Sequence, residues 1–80
     1  MIKVEVRLYA TLRRYRPELN IGEALPVELP AGATVGQLIE QLGLPEKEIK
    51  VVFVNGVVQE FDHVLADGDR VGFFPPVGGG

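Results

Sequence analysis

The last three residues of the chain are the ones whose types and spacing suggest chemistry. Gly78, Gly79 and Gly80 have no side chains, and the sequence closes on the carboxyl group of Gly80. Because glycine has no Cβ, such a segment can pass through a narrow enzyme channel that would exclude other residues. We therefore predict a reactive carboxyl group on Gly80, with Gly78 and Gly79 as the residues that thread into a partner enzyme. Composition alone leaves open the alternative of a merely frayed terminus.

An apolar run lies immediately before the glycines. It consists of Phe74, Pro75, Pro76 and Val77, and its two prolines favour a stiff, extended spacer. Since an exposed apolar patch on a small protein usually marks an interface, we predict that these four residues contact a partner, with Phe74 as the anchor. The alternative is that Phe74 covers the sheet edge within the monomer. Arg13 is a further candidate for the partner interface, although a solvated arginine is the commoner state.

The rest of the sequence offers no constellation of catalytic or metal-binding groups. It contains no cysteine and no serine, and His63 is its one histidine. His63 therefore has neither a nucleophile to activate nor the company of other metal ligands. Asp62, Asp67 and Asp69 surround a turn and are too few for a calcium site. We expect the chain to bind no metal or cofactor, and to act through binding or as a substrate rather than as an enzyme.

Composition predicts one small domain without nucleic-acid or membrane partners. Eighty residues, 46% of them apolar, suffice for a single core. A net charge of -3 argues against a surface that binds nucleic acid. No apolar run approaches the length of a membrane span, and the first residues do not resemble a signal peptide. The expected location is the cytoplasm.

Hydrophobic patterns predict the strands that must position the glycine tail. Residues 2–8 alternate apolar and polar side chains, as a strand with one buried face requires. Residues 26–30 have a proline at each end, which suits an edge strand. Residues 50–54 are almost continuously apolar and are expected near the centre of the sheet. Asn55-Gly56 then predicts a type I′ hairpin, because both of its central positions need a positive φ.

The main helix is predicted over residues 35–42. Thr34 and Gln37 have the spacing of a reciprocal capping box, and Gly43 is suited to the left-handed position that ends a helix. A short helical turn is predicted over residues 10–15.

A final strand is predicted over residues 70–74, after a turn at 67–69. If Val71 and Phe73 point inward, Gly72 and Phe74 point outward. A mixed sheet with one helix across it is an α+β domain.

Several of these segments, in this order, resemble the MoaD/ThiS family of ubiquitin-like sulfur carriers, and most closely the small subunit of molybdopterin synthase (MoaD). The resembling segments are VRLYATLR at 6–13, VNG at 54–56, FDH with the following turn at 61–69, FFPPV at 73–77 and the closing Gly79-Gly80. The sequence departs from the family at Gly78, where Ser or Thr is usual, and at Arg14 and Arg70, where acidic residues are common.

The resemblance implies a ubiquitin-like β-grasp domain over residues 1–77, with four to five strands and one main helix, followed by a flexible glycine tail over 78–80. It also implies a sulfur carrier. An ATP-dependent activating enzyme similar to MoeB or ThiF would adenylate Gly80, and a persulfide would then convert it to a C-terminal thiocarboxylate (1-thioglycine). A MoaE-like large subunit, which would hold the catalytic residues, would use that sulfur to form the dithiolene of the molybdenum or tungsten cofactor.

Two other functions share the same Gly-Gly terminus. One is the thiamine-type carrier, ThiS, and the other is a protein modifier that is joined through Gly80 to lysines of target proteins. The opening segment 9–13 and the segment 73–76 favour the molybdopterin synthase subunit over ThiS. The sequence does not exclude the modifier, since activation of the terminal glycine is common to both routes.

Overall fold

The computed structural model of the protein describes residues 1–76. Four residues lie outside this part of the chain: Val77, the predicted threading residues Gly78 and Gly79, and the predicted reactive residue Gly80. The domain boundary predicted after Val77 lies there as well. The described elements are the strands β1 (Ile2–Leu8), β2 (Leu25–Leu29), β3 (Val51–Val54), β4 (Val57–Val58) and β5 (Arg70–Phe74), the helix α1 (Val35–Leu42), and two 3₁₀ helices at Ala10–Tyr15 and Glu46–Glu48.

The five strands form one mixed sheet in the order β2-β1-β5-β3-β4. Strands β1 and β5 are parallel, whereas the β1–β2, β3–β5 and β3–β4 pairs are antiparallel. The predicted α+β class and the edge position of β2 are confirmed. The central strand is β5, however, and β3 lies between it and the edge strand β4. Val51 and Phe53 of β3 remain half-exposed rather than covered on both faces, because helix α1 and the core lie on one side of the sheet only.

One face of the sheet carries the hydrophobic core, and we call the opposite face the outer face. Val71 and Phe73 of β5 are fully buried on the core side, while Gly72 and Phe74 are half-buried on the outer face, as the period of two predicted. Helix α1 packs its apolar side chains against the core side, and Leu12 of the first 3₁₀ helix and Leu65 complete the core. The fully buried helix residues are Val35, Leu38 and Ile39.

Helix α1 begins and ends as its sequence predicts. The Thr34 hydroxyl accepts a hydrogen bond from the Gln37 backbone N–H at 3.2 Å, and the Thr34 N–H donates to the Gln37 side chain at 2.8 Å. This reciprocal pair satisfies two N–H groups that have no partner within the helix. At the other end Gly43 takes the left-handed conformation, with φ 71°.

The β3–β4 hairpin also forms as predicted, and its turn is joined to β5. Asn55 has φ 53° and Gly56 has φ 83°, as a type I′ turn requires. The Asn55 side chain donates to the carboxylate of Asp69 at 2.8 Å and accepts from the backbone N–H of Arg70 at 2.9 Å. The hairpin turn therefore holds the residue at which β5 begins.

A polar cluster links the two 3₁₀ helices. The Arg14 guanidinium donates to the Tyr15 hydroxyl at 3.0 Å and to a Glu48 carboxylate oxygen at 2.6 Å. The Tyr15 hydroxyl donates to both oxygens of Glu48, at 3.0 and 2.9 Å. The bond to Tyr15 and the negative charge of Glu48 raise the pKa of Arg14 above its ordinary value. The cluster thus ties the segment after β1 to the segment before β3.

Candidate functional site

Strand β5 is paired with β1 up to Phe73 and with β3 up to Phe74, its last residue. The carbonyl of Phe73 accepts a hydrogen bond from the Tyr9 N–H at 3.2 Å, and that of Phe74 accepts from the Lys50 N–H at 2.8 Å. Pro75 and Pro76 have no N–H group and cannot continue the pairing. The chain therefore leaves the sheet immediately after Phe74.

Three aromatic side chains cover the outer face beside this exit point. The rings of Tyr9 and Phe74 are stacked, with centroids 4.3 Å apart and 3° between their planes. The Phe53 ring meets Phe74 edge-on, with centroids 5.3 Å apart and an angle of 76°. Both arrangements are favourable geometries for aromatic pairs. We call Tyr9, Phe53 and Phe74 the aromatic cluster, and all three are half-exposed.

Gly72 allows the aromatic cluster to lie against the sheet. Its register partners are Arg7 on β1 and Phe53 on β3, so it lies beneath the cluster. A Cβ at this position would lie 3.1 Å from Cε2 of Tyr9 and 3.7 Å from Cε1 of Phe74. Because 3.1 Å is shorter than an ordinary van der Waals contact, the Tyr9 ring would have to shift by a few tenths of an ångström above a residue with a Cβ. A glycine inside a strand commonly marks such a close approach.

An open groove of about 390 Å³ runs over the aromatic cluster. Most of its lining is apolar or backbone, and its two charged residues are both arginines. We call it the outer groove; it is lined by Arg7, Tyr9, Phe53, Gly56, Arg70, Val71, Gly72 and Phe74. A groove of this character suits an apolar side chain of a partner, held between aromatic rings and flanked by positive charge.

The structure places only part of the predicted interface in this groove. Phe74 lines the groove and also contacts Tyr9 and Phe53. This one side chain is therefore placed for both of the roles considered above, the anchor for a partner and the cover of the sheet within the monomer. Pro75 is half-buried and Pro76 is exposed directly beyond it. Arg13 is half-exposed on the first 3₁₀ helix and is not among the groove residues. Its role at an interface stays a prediction.

The sequence interpretation missed Tyr9, Phe53 and Gly72 as members of this site. Two signals could have found Tyr9 and Gly72. The alternation of β1 continues to Tyr9, which places its ring on the same face as the side chain of Arg7. Gly72 interrupts an apolar strand, which is itself a sign of close packing above the backbone.

Elsewhere, His63, Asp67 and Asp69 lie in the segment that leads to β5, and the two aspartates accept backbone hydrogen bonds there. His63 is half-buried, and its backbone accepts from Val35 at 3.0 Å and donates to Glu60 at 3.1 Å. Asp67 accepts from the Lys3 N–H and Asp69 from the Ala66 N–H, both at 2.8 Å, which confirms the predicted turn.

Within residues 1–76, no group of three or more His, Cys, Asp and Glu side chains is arranged to hold a metal ion. The helices of this part of the chain are too short or too polar to cross a membrane.

Residues 1–78 match the model of a protein family described as Mut7-C ubiquitin. The chain belongs to this family. The match covers every described strand and helix, including β5 and the aromatic cluster.

Curated relatives connect this ubiquitin-like family to sulfur carriers. The chain is 34% identical to the molybdopterin synthase sulfur carrier subunit of Mycobacterium tuberculosis, over the full length of both proteins. A 27-residue segment is 63% identical to the subunit of the same name from Escherichia coli K12 and spans 34% of this chain and 33% of that protein. The predicted resemblance to the MoaD/ThiS family is confirmed.

Solved structures similar to this member of the family are ubiquitin-like proteins. One, described as molybdopterin converting factor subunit 1 from Pyrococcus furiosus, has 35% identity and a TM-score of 0.74 over 96% of this chain and 100% of that one. SAMP1 from Haloferax volcanii has 25% identity and a TM-score of 0.76, with coverages of 98% and 99%. ThiS from Geobacter metallireducens has 26% identity and a TM-score of 0.59, with coverages of 95% and 99%. The predicted β-grasp fold is confirmed.

Proposed function

We propose that the chain is a sulfur carrier that acts as the small subunit of a molybdopterin synthase. The observation that carries this proposal is the 34% identity, along the whole of both chains, with the M. tuberculosis subunit of that name. The geometry supports it, because β5 is paired through Phe74 and releases the following residues beside an aromatic groove. A carrier needs such a combination of a docking surface and a segment that reaches into an active site.

In this proposal the carboxyl group of Gly80 is the reacting group. An ATP-dependent activating enzyme joins it to AMP and releases pyrophosphate, since a carboxylate is a poor electrophile until it bears a good leaving group. The sulfur of a persulfide then attacks the carbonyl carbon and displaces AMP, and reductive cleavage of the S–S bond by a thiol leaves a thiocarboxylate. Gly78 and Gly79, without side chains, allow two different active sites to enclose the reacting carbon.

The large subunit would contribute the acid and base groups that transfer sulfur to the pterin precursor. Six residues, 75–80, separate the last paired residue from the carboxyl group. At about 3.3 Å per extended residue they span at most about 20 Å. The active site of the large subunit must therefore lie within about that distance of Phe74 when the outer groove is docked. Pro75 and Pro76 limit the conformations of this connection and reduce the entropy lost on insertion.

Intact mass spectrometry tests the carrier chemistry. The purified chain is incubated with its cognate activating enzyme, ATP and a sulfur donor, and we expect the mass change of one oxygen exchanged for sulfur at the C-terminal residue. A reaction without ATP is the control and should leave the mass unchanged. A variant lacking Gly80 should form no functional thiocarboxylate. Sulfur transfer that persists at the full rate without Gly80 would contradict the proposal.

Substitution of the anchor tests the docking surface. Phe74→Asp places a charge within the aromatic cluster, and loss of an aromatic anchor should weaken binding to the large subunit by roughly 30-fold, about 2 kcal/mol. Ile21→Asp is the matched control, because Ile21 is 83% exposed and does not line the groove. Circular dichroism checks that both variants fold. Equal affinity of Phe74→Asp and wild type would refute the docking assignment.

A protein modifier is the second candidate function. It is favoured by the similarity to SAMP1, a small archaeal modifier protein, which exceeds the similarity to ThiS in TM-score. The same mass measurement distinguishes the two functions if whole lysate is supplied. A modifier gives adducts of higher mass in which Gly80 is joined to lysines of other proteins, whereas a dedicated carrier gives the sulfur exchange alone.

A further inference from the structure

The charge of the outer groove is opposite in sign to that of the whole protein. The chain carries 11 acidic and 8 basic residues and a net charge of -3. Among residues 1–76, however, the charged residues that line the groove are Arg7 and Arg70. They lie on adjacent strands, where Arg7 pairs in register with Gly72 and Arg70 pairs with Glu5. Two guanidinium groups therefore flank the apolar floor of the groove.

Neither guanidinium group is committed to a strong ion pair within the described part of the chain. Arg7 donates through Nε to the carbonyl of Gly22 at 3.1 Å, and its Nη1 lies 3.7 Å from a Glu5 carboxylate oxygen. Within residues 1–76, no carboxylate lies within 4.0 Å of Arg70, whose residue is exposed. The other ion pair of this part of the chain, Arg14 with Glu48, involves the 3₁₀ helices. Arg70 is thus available to an external carboxylate.

We propose that Arg7 and Arg70 are specificity-determining residues that select a large subunit presenting one or more carboxylates beside an apolar side chain. The apolar side chain occupies the space over Tyr9, Phe53 and Phe74, and the carboxylates pair with the two guanidinium groups. This inference rests on the proposed function. Charge complementarity around an apolar centre is the usual arrangement of a specific interface, in which the charges set partner choice and association rate.

The arrangement favours the large subunit over the activating enzyme as the occupant. In the proposed function the carrier only visits the activating enzyme, whereas it forms the synthase together with the large subunit, and subunit interfaces depend on burial of an apolar centre such as the aromatic cluster. The groove is also continuous with the point where the chain leaves the sheet after Phe74. A partner seated on the groove therefore receives the carboxyl group without a second docking site.

Salt-dependent binding of charge-neutral variants tests the inference. Affinity of the unmodified chain for its large subunit is measured by calorimetry, with association rates by stopped-flow fluorescence, between about 0.05 M and about 0.5 M NaCl. We expect Arg70→Gln to weaken binding about fivefold at low salt, mainly through a slower association rate, and the Arg7→Gln/Arg70→Gln variant to weaken it about 20-fold. Both losses should shrink at high salt, because screening removes the charge contribution.

Lys47→Gln is the matched control, since Lys47 is exposed on the second 3₁₀ helix and does not line the groove; it should change affinity less than about twofold. The double variant loses the hydrogen bond between Arg7 and Gly22, which could disturb the fold. The Arg70→Gln variant removes no hydrogen bond of the described residues, so it tests the inference by itself. Wild-type affinity of Arg70→Gln at low salt, or an equal loss at every salt concentration, would overturn the inference. So would an effect confined to the activating enzyme.

The proposed function fails separately, in the mass measurement. Suppose that the arginine variants acquire the thiocarboxylate as wild type does and also bind the large subunit with wild-type affinity at every salt concentration. The carrier function then stands, and the selection of the partner by charge is wrong. If wild type neither acquires sulfur nor binds the large subunit, both are wrong.

Discussion

The Tyr9 ring lies parallel to the Phe74 ring, with centroids 4.3 Å apart. Tyr9 directly follows β1 and Phe74 ends β5, so the stack joins the ends of two parallel, central strands. The proposed anchor is therefore already held in position in the free protein. A preorganised aromatic side chain loses less conformational entropy on binding than a mobile one, which strengthens the interface without further contacts.

Gly72→Val should dismantle this stack while leaving the core side of β5 unchanged. A Cβ would lie 3.1 Å from the Tyr9 ring, and the two methyl groups of valine need further space, so the ring is displaced and Phe74 keeps only its edge contact with Phe53. We expect loss of the ring-current shifts of Tyr9 and Phe74 in NMR spectra, and roughly tenfold weaker binding to the large subunit. Tyr9→Phe is the control, because it keeps the ring. Retention of the wild-type ring-current shifts by Gly72→Val would contradict the role of Gly72.

Thr34→Ala should destabilise the protein by about 1 kcal/mol. The substitution removes the hydroxyl that accepts from the Gln37 N–H and leaves that donor without its cap. The free energy of unfolding in urea, measured by circular dichroism, checks the effect. Thr11→Ala provides the comparison, since Thr11 is exposed and should change stability by less than about 0.5 kcal/mol. Similar losses in the two variants would argue against the capping box.

Asn55→Ala should cost about 2 kcal/mol of unfolding free energy. Alanine loses both side-chain hydrogen bonds, to Asp69 and from Arg70, and is strained at φ 53°. Asn55→Gly separates the two causes, because glycine tolerates the positive φ and loses only the hydrogen bonds. We therefore expect its destabilisation to be smaller than that of alanine. If glycine costs as much as alanine, backbone strain is not part of the effect.

Tyr15→Phe should lower the free energy of unfolding of the protein by about 1 kcal/mol, because it weakens the contact between the two 3₁₀ helices. It deletes the hydroxyl that donates to both oxygens of Glu48. Tyr9→Phe serves as the reference, because no hydrogen bond of the Tyr9 hydroxyl is found among residues 1–76. Chemical unfolding of the two variants compares them directly. Equal stability would show that the hydroxyl–carboxylate contact contributes nothing measurable.

The pKa of Arg14 makes a prediction about pH. The bond to the Tyr15 hydroxyl and the charge of Glu48 raise this pKa above its ordinary value. A raised folded-state pKa contributes stability that is complete below the unfolded-state value and is lost only as the pH rises through the folded-state value. The stability difference between wild type and Arg14→Gln should therefore stay constant from about pH 6 to about pH 9. A difference that changes across this interval would contradict the assignment.

Much of the local structure was predictable because it depends on neighbouring residues. The cap at Thr34, the left-handed Gly43 and the Asn55-Gly56 turn each follow from short-range hydrogen bonding or backbone freedom. The burial of Val71 and Phe73 on one face likewise follows from the strand period. These features need no knowledge of which strands pair.

The position of β3 within the sheet could not be predicted from local patterns. An apolar run predicts burial, but it does not say which strand will lie beside it. β5 enters between β1 and β3, and this long-range pairing moved β3 away from the centre of the sheet. The outer groove was missed for the same reason, since its residues come from three segments, around β1, β3 and β5, that are far apart in the sequence.

The sequence by itself determined the five strands, helix α1, the first 3₁₀ helix, the faces of β1 and β5, the family and the candidate residues 74–80, because periodicity, turn chemistry and short motifs can be read along the chain. Only the tertiary structure decided that Tyr9, Phe53 and Phe74 meet over Gly72 and that Arg7 and Arg70 flank them. Those contacts depend on the parallel register of β1 with β5 and the antiparallel register of β3 with β5. Strand pairing over long sequence separations is set by the packing of the whole core, so no local pattern encodes it.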